Sequence, residues 1–142
     1  MNYIKNKLAS KGVPGIVAYA LCLVSLIVDI VFIAVDVGDV TFSTGCFVCV
    51  LVGSLIGLAD LFTDKTAGVF LLVASMLFSA GLAFHLYAGL PSLSDLMNNV
   101  NFIGGNQAAA IGFGIVFIVV TLALIVINFM KTGNKKHDPL RA

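Results

Sequence analysis

The sequence predicts an all-α fold: a polytopic bundle of four transmembrane helices, with a short amphipathic helix in its second outer loop. Three observations predict it. First, the 142 residues are 60% hydrophobic and only 11% charged, with a mean hydropathy of +1.10, whereas soluble domains average about 25% charged residues. So little polar surface cannot cover such a core in water, so lipid is the solvent for much of it. Second, the apolar residues fall into four segments, about 14–35, 44–61, 67–87 and 108–130. Each is near the ~20 residues that cross ~30 Å of hydrocarbon as a helix. Third, all eight basic residues flank these segments so that a single side of the membrane receives them.

The first span follows Lys5, Lys7 and Lys11. Ala18-Tyr19-Ala20 has the shape of a cleavage box. Too few apolar residues precede it for a signal peptide, and the apolar run continues beyond it, so the span is expected to stay uncleaved. Cys22 follows Leu21, which is too large for a typical lipoprotein site. Spans two and three are joined by Thr63-Asp64-Lys65-Thr66, a tight turn that makes them antiparallel neighbours. Between spans three and four lie about 20 residues, 88–107. Loops that long usually carry structure or function. There Leu93, Leu96, Met97 and Val100 recur at helical spacing, opposite Ser94, Asp95, Asn98 and Asn99. Ser92 and Asp95 match a capping box behind Pro91, and Gly104-Gly105 closes the segment. A short helix on the outer membrane surface is expected, within a single domain covering 1–142.

Orientation follows from charge. Lys5, Lys7, Lys11, Lys65, Lys131, Lys135, Lys136 and Arg141 share one side, so both termini are expected in the cytoplasm of a multi-pass cell-membrane protein. Asp36, Asp39 and Asp95 then face outward. The basic tail, 131–142, is short and suits lipid headgroups, not nucleic acid. Tyr87 and Phe84 suit an aromatic belt.

Asp29 is the leading candidate for function. It lies inside span one, where a carboxylate costs several kcal/mol unless it is hydrated, paired or protonated. Cys22, Ser25, Asp29 and Asp36 share one stripe of the helix, which should face the bundle interior or an aqueous cavity. Two readings stand: a cation or proton site, or an acid made neutral or hydrogen-bonded to a neighbouring helix. His85, near the outer end of span three, can join the acids at that depth, or can simply reach interfacial water or a backbone carbonyl. The expected polar site is therefore Asp29, Ser25, Asp36 and His85.

Small residues mark packing faces: Gly45, Cys49, Gly53 and Gly57 on span two; Ser75, Ser79 and Ala83 on span three; Gly112 and Gly114 on span four. Such faces let helix backbones approach closely. Cys46 and Cys49 form a C-x-x-C at the outer end of span two. The motif resembles that of the four-helix thiol oxidases that reoxidise disulfide-forming proteins through quinone. Those enzymes need a second outer cysteine pair, and residues 88–107 contain no Cys. Two packing residues are the alternative. No phosphate loop, zinc-protease motif, nucleophile elbow or metal-ligand cluster occurs, so no catalytic residue, cofactor or metal is expected.

The stretch Asp95 through Asn101-Phe102-Ile103-Gly104-Gly105-Asn106-Gln107 resembles small four-span membrane proteins of Gram-positive gut bacteria, a group with no assigned activity. The resemblance implies the layout alone. Three functions remain open: a homo-oligomeric channel or small-solute or cation transporter; an accessory or scaffold subunit of a larger membrane complex; and a thiol–disulfide oxidoreductase. The expected partners are the lipid bilayer and either further copies of the chain or another membrane protein.

Overall fold

A computed structural model describes the backbone of residues 2–63 and 68–133 and the side chains of 12–63 and 68–130. It contains α1 (Asn2–Asp36), α2 (Thr44–Ala59), α3 (Val69–Met97) and α4 (Gln107–Gly133), and no strand among the described residues. The eight basic side chains, the 64–66 part of the turn and most of the basic tail lie outside what is described.

Local chemistry sets the helix starts. In α1, Gly12 leaves the helical region at φ 70°, ψ 174°. Pro14 follows, with its φ pre-set and no N–H to leave unpaired, and the spanning part runs on to Asp36. α2 starts at Ser43, whose Oγ accepts the Cys46 N–H at 3.2 Å. This is an N-cap worth about 1 kcal/mol. Gly12–Asp36, Val69–Met97 and Gln107–Met130 are long and apolar enough to cross a membrane, while Thr44–Ala59 is a shorter apolar helix. Its 16 residues reach about 24 Å at 1.5 Å per residue. The chain is an integral membrane protein.

The connection between α3 and α4 differs from its expected form. Its amphipathic segment is helical, but as the unbroken end of α3, which runs through Pro91 to Met97. Ser92 and Asp95 do not start a helix. The Ser92 hydroxyl donates to Gly104 O at 3.0 Å, and Asp95 Oδ2 accepts the N–H groups of Phe102 and Ile103 at 2.9 and 2.8 Å. These bonds fasten the returning loop to the helix and offset the backbone bond that Pro91 cannot make. Ser92 and Asp95 are thus buried against the loop, and Leu93, Leu96 and Met97 point outward.

Each helix packs on its sequence neighbour, and α1 closes the ring against α4. Close approach is concentrated on α2. A Cβ added at Gly57 would sit 2.5 Å from Cys22 Sγ, and one at Gly53 would meet Phe78 and Leu77 at 3.1–3.2 Å. On α3 the close contact falls at Gly81, against Val50 and Cys49. Ser75 is buried, but Ser79 is exposed and bonds back to Ser75 O at 2.9 Å. On α4, Gly112 is exposed with open space beside it, and Gly114 instead lies against the His85 ring. Ser79 and Gly112 therefore do not pack within the bundle.

Candidate functional site

The buried polar side chains fall along the interior of the bundle, and α1 carries most of them. Ser25, Asp29 and Asp36 are all at most 1% exposed, on the same stripe as Cys22 and Phe32. Facing them are Ser54 on α2, His85 on α3 and Thr121 on α4, also buried. The contacts set their levels. Cys22 lies opposite Gly57. The antiparallel register then places Ser54 level with the Ser25 turn of α1.

At the end bearing the 37–43 and 98–106 connections, the buried polar side chains Asp36, Thr41, Ser92 and Asp95 are held. The Thr41 hydroxyl oxygen lies 2.9 Å from both Asp36 oxygens and 3.0 Å from Asp39 Oδ1. One hydroxyl proton cannot serve all three acceptors. The arrangement is complete when Asp36 carries a proton and donates it to Thr41, and Thr41 donates to Asp39. Asp39 Oδ1 also accepts the Thr41 N–H at 3.1 Å and the Asn106 N–H at 3.2 Å, joining the two connections. These donors, the Thr41 amide foremost, hold the Asp39 carboxyl below its ordinary range. Gly105 makes the approach possible: its φ is +98°, and a Cβ there would lie 2.9 Å from Asp39 Oδ1.

The opposite end is also tied. The Tyr19 hydroxyl donates to Asp60 Oδ2 at 2.8 Å, and Asn128 Nδ2 donates to Leu71 O at 3.1 Å.

The middle is different. Neither oxygen of Asp29 meets a donor among the described residues, and the Ser54 and Thr121 hydroxyls also lack partners there. Ser25 bonds only to Leu21 O of its own helix, at 2.7 Å. His85 Nε2 lies 2.9 Å from Ala110 O, while Nδ1 meets no partner among the described residues. Between Asp29 and Asp36 on the stripe stands Phe32. Its ring stacks on Phe42 at 5.1 Å and meets Phe113, His85 and Phe117 edge-on at 5.0, 5.5 and 5.8 Å. Asp29 and Asp36 therefore occupy separate surroundings along α1, divided by an aromatic plug.

Two outer grooves complete the picture. One, of about 190 Å³ between α3 and α4, is lined by His85, Gly89, Ala110 and Gly114 among others. The second lies between α1 and α4 beside Gly112. Neither is lined by Asp29. Cys22, Cys46 and Cys49 are free thiols; Cys22 and Cys46 are buried and Cys49 is half-buried.

Sequence reasoning overlooked Asp60, Thr41, Ser54 and Thr121. Asp60 had a usable signal: it ends the second apolar run, at the depth where Tyr19 enters the first. Thr41 had one too, two residues beyond Asp39 in a short acidic loop. Ser54 and Thr121 carried none, since single hydroxyls in apolar helices commonly bond their own backbone.

No family model, curated protein or solved structure matches this chain.

Proposed function

We propose that the protein is a small cation-translocating membrane protein, a channel or small transporter, in which Asp29 binds the moving cation. One observation carries the reading: a fully buried carboxyl group inside a membrane bundle, with no donor to either oxygen among the described residues. An ionisable group at such depth is costly to keep and marks ion or proton pathways in membrane proteins. In this reading the termini are cytoplasmic, the Asp36–Thr41–Asp39 group forms the outer mouth, and copies of the chain associate through the apolar faces.

The test is reconstitution of the purified chain into liposomes under imposed H⁺, Na⁺ and K⁺ gradients. Wild type should dissipate at least one gradient faster than empty liposomes, and Asp29→Asn should abolish this without changing assembly. Wild-type liposomes no leakier than empty ones would sink the proposal.

A second reading is an accessory subunit. It is favoured by the outward apolar edge of Leu93, Leu96 and Met97, with Phe102, 87% exposed, at the loop tip. Stoichiometry in mild detergent separates the two readings: self-assembly supports the first, a fixed foreign subunit the second.

A further inference from the structure

We infer that the translocated cation is a proton and that His85 is its second carrier, taking the proton at Nδ1 on the far side of the Phe32 ring from Asp29. The inference rests on the translocation reading above and names its substrate.

Two arguments exclude a metal ion at Asp29. Hard cations need about six or more oxygen ligands. Among the described residues, the middle of the bundle offers the two Asp29 oxygens and the Ser25, Ser54 and Thr121 hydroxyls, fewer than such a cation takes. A proton needs one oxygen only. It also removes the charge that burial penalises.

The state of His85 follows from its partner. Ala110 O is a carbonyl and only accepts, so Nε2 must bear the hydrogen of the 2.9 Å contact. In the neutral ring Nδ1 then holds a lone pair. It is buried and meets no donor among the described residues. It is the one ring position that can gain a proton while the Ala110 bond persists.

Geometry orders the carriers. Phe32 stands one turn from Asp29 on α1 and packs edge-on against His85 at 5.5 Å. On α3, Gly81 lies one turn before His85 and touches Val50, level with Asp29. Asp36 follows Phe32 by one turn on the same buried stripe of α1. The titratable groups around the pair are thus Asp36 on α1 and Cys46 on α2. α4 presents Phe113, Phe117 and Gly114 to His85 and Phe32.

The step balances without redox chemistry. When the Phe32 ring swings aside, the O–H bond of protonated Asp29 breaks and an N–H bond forms at His85 Nδ1. A carboxylate and an imidazolium result. The imidazolium passes the Nδ1 proton to Asp36 as Asp36 releases its own proton to the Thr41 oxygen and Thr41 passes its hydroxyl proton to the Asp39 carboxylate; the ring returns to neutral, with Nε2–H still on Ala110 O. Transfer in the other direction reverses each step.

The experiment pairs proteoliposome flux with ¹⁵N NMR of the His85 ring in lipid. Wild type should carry H⁺ in preference to Na⁺ and K⁺. His85→Gln should lower H⁺ flux by about 10²-fold or more, the usual range for losing a proton-transfer group. Phe32→Ala should raise it. In wild type the Nδ1 resonance should shift with pH, and Asp29→Asn should move that midpoint. Flux of Na⁺ or K⁺ in place of H⁺ overturns the inference and leaves translocation standing. So does H⁺ flux that His85→Gln leaves within about twofold. If wild type carries no ion, translocation itself fails. The NMR measurement then decides the coupling: an Nδ1 resonance indifferent to Asp29→Asn overturns it.

Discussion

Asp29 and Asp36 lie two turns apart on one helix, both fully buried, yet truncating each should change stability in opposite directions. Asp29 meets no donor among the described residues. Removing it relieves an unsatisfied buried polar group, worth about 1–3 kcal/mol. The cavity left is little more than a methyl group and costs about 1 kcal/mol. Asp29→Ala should therefore be neutral or more stable by up to about 2 kcal/mol. Asp36 is bonded at 2.9 Å to Thr41. Asp36→Ala loses a hydrogen bond involving a charged network, about 1.5–3 kcal/mol, and leaves a similar cavity. It should be less stable by about 2–4 kcal/mol. Both can be read from reversible unfolding in mixed micelles, with wild type as reference. If Asp29→Ala loses more than about 1 kcal/mol, the acid has a partner and the reasoning fails. Equal losses at both positions refute it as well.

Other expectations test the frame around the site. Gly57→Ala should cost about 1–3 kcal/mol by overpacking, and Cys22→Ala should restore most of it, because the clash is with Cys22 Sγ at 2.5 Å; a double-mutant cycle without coupling contradicts the packing. The Asp39 carboxyl is held below its ordinary range by the Thr41 and Asn106 amides. Its contribution is therefore complete above the unfolded value of about 3.9, and is lost as pH falls through the lower folded value. Hydrogen exchange at Asn106 should accelerate only at that acid end, and at neutral pH in Asp39→Asn; unchanged protection in Asp39→Asn counts against the joint. Reporter fusions at Ala142 and within 88–107 should report opposite compartments, with the C-terminus cytoplasmic; a C-terminal fusion active outside the cell overturns the proposed orientation.

Helices were legible because lipid leaves no other way to satisfy the backbone, and their length shows directly as apolar runs. The rotation of each helix was less legible. Ser75 and Ser79 are four residues apart, but a turn is 3.6 residues, so a strict four-residue stripe drifts around the helix. Ser75 is buried and Ser79 is not. On α2 a close partner sits beside Gly45, Gly53 and Gly57 despite that drift, because α3 covers one side and Cys22 of α1 the other. The end of α3 was misread for a different reason. Ser92, Asp95 and Pro91 form the same pattern whether they start a helix or anchor a returning loop. Only the position of Phe102, Ile103 and Gly104 in space decides between them. Asp29 stood out because it is costly. Its lack of partners depends on three other helices and left no trace in local sequence.

The distribution of paired and unpaired groups bears on why the polar residues are there. Near the ends, Asp36 with Thr41 and Tyr19 with Asp60 are hydrogen-bonded, although water is nearest and a missing bond would cost least there. In the middle, Asp29, Ser54, Thr121 and His85 Nδ1 lack partners among the described residues, where an unpaired group costs most. A network selected for stability has the reverse pattern: its deepest members are the best satisfied. Apolar residues at 29, 54 and 121 would pack the same helices at lower cost. Asp29 is also the one carboxyl group among them, and Phe32 separates it from the fastened end at Asp36. Under the proposed translocation, a bundle closed at both ends around an unsatisfied acid is stable enough to fold and poised to exchange what the acid holds. That proposal accounts for the combination, and packing alone does not.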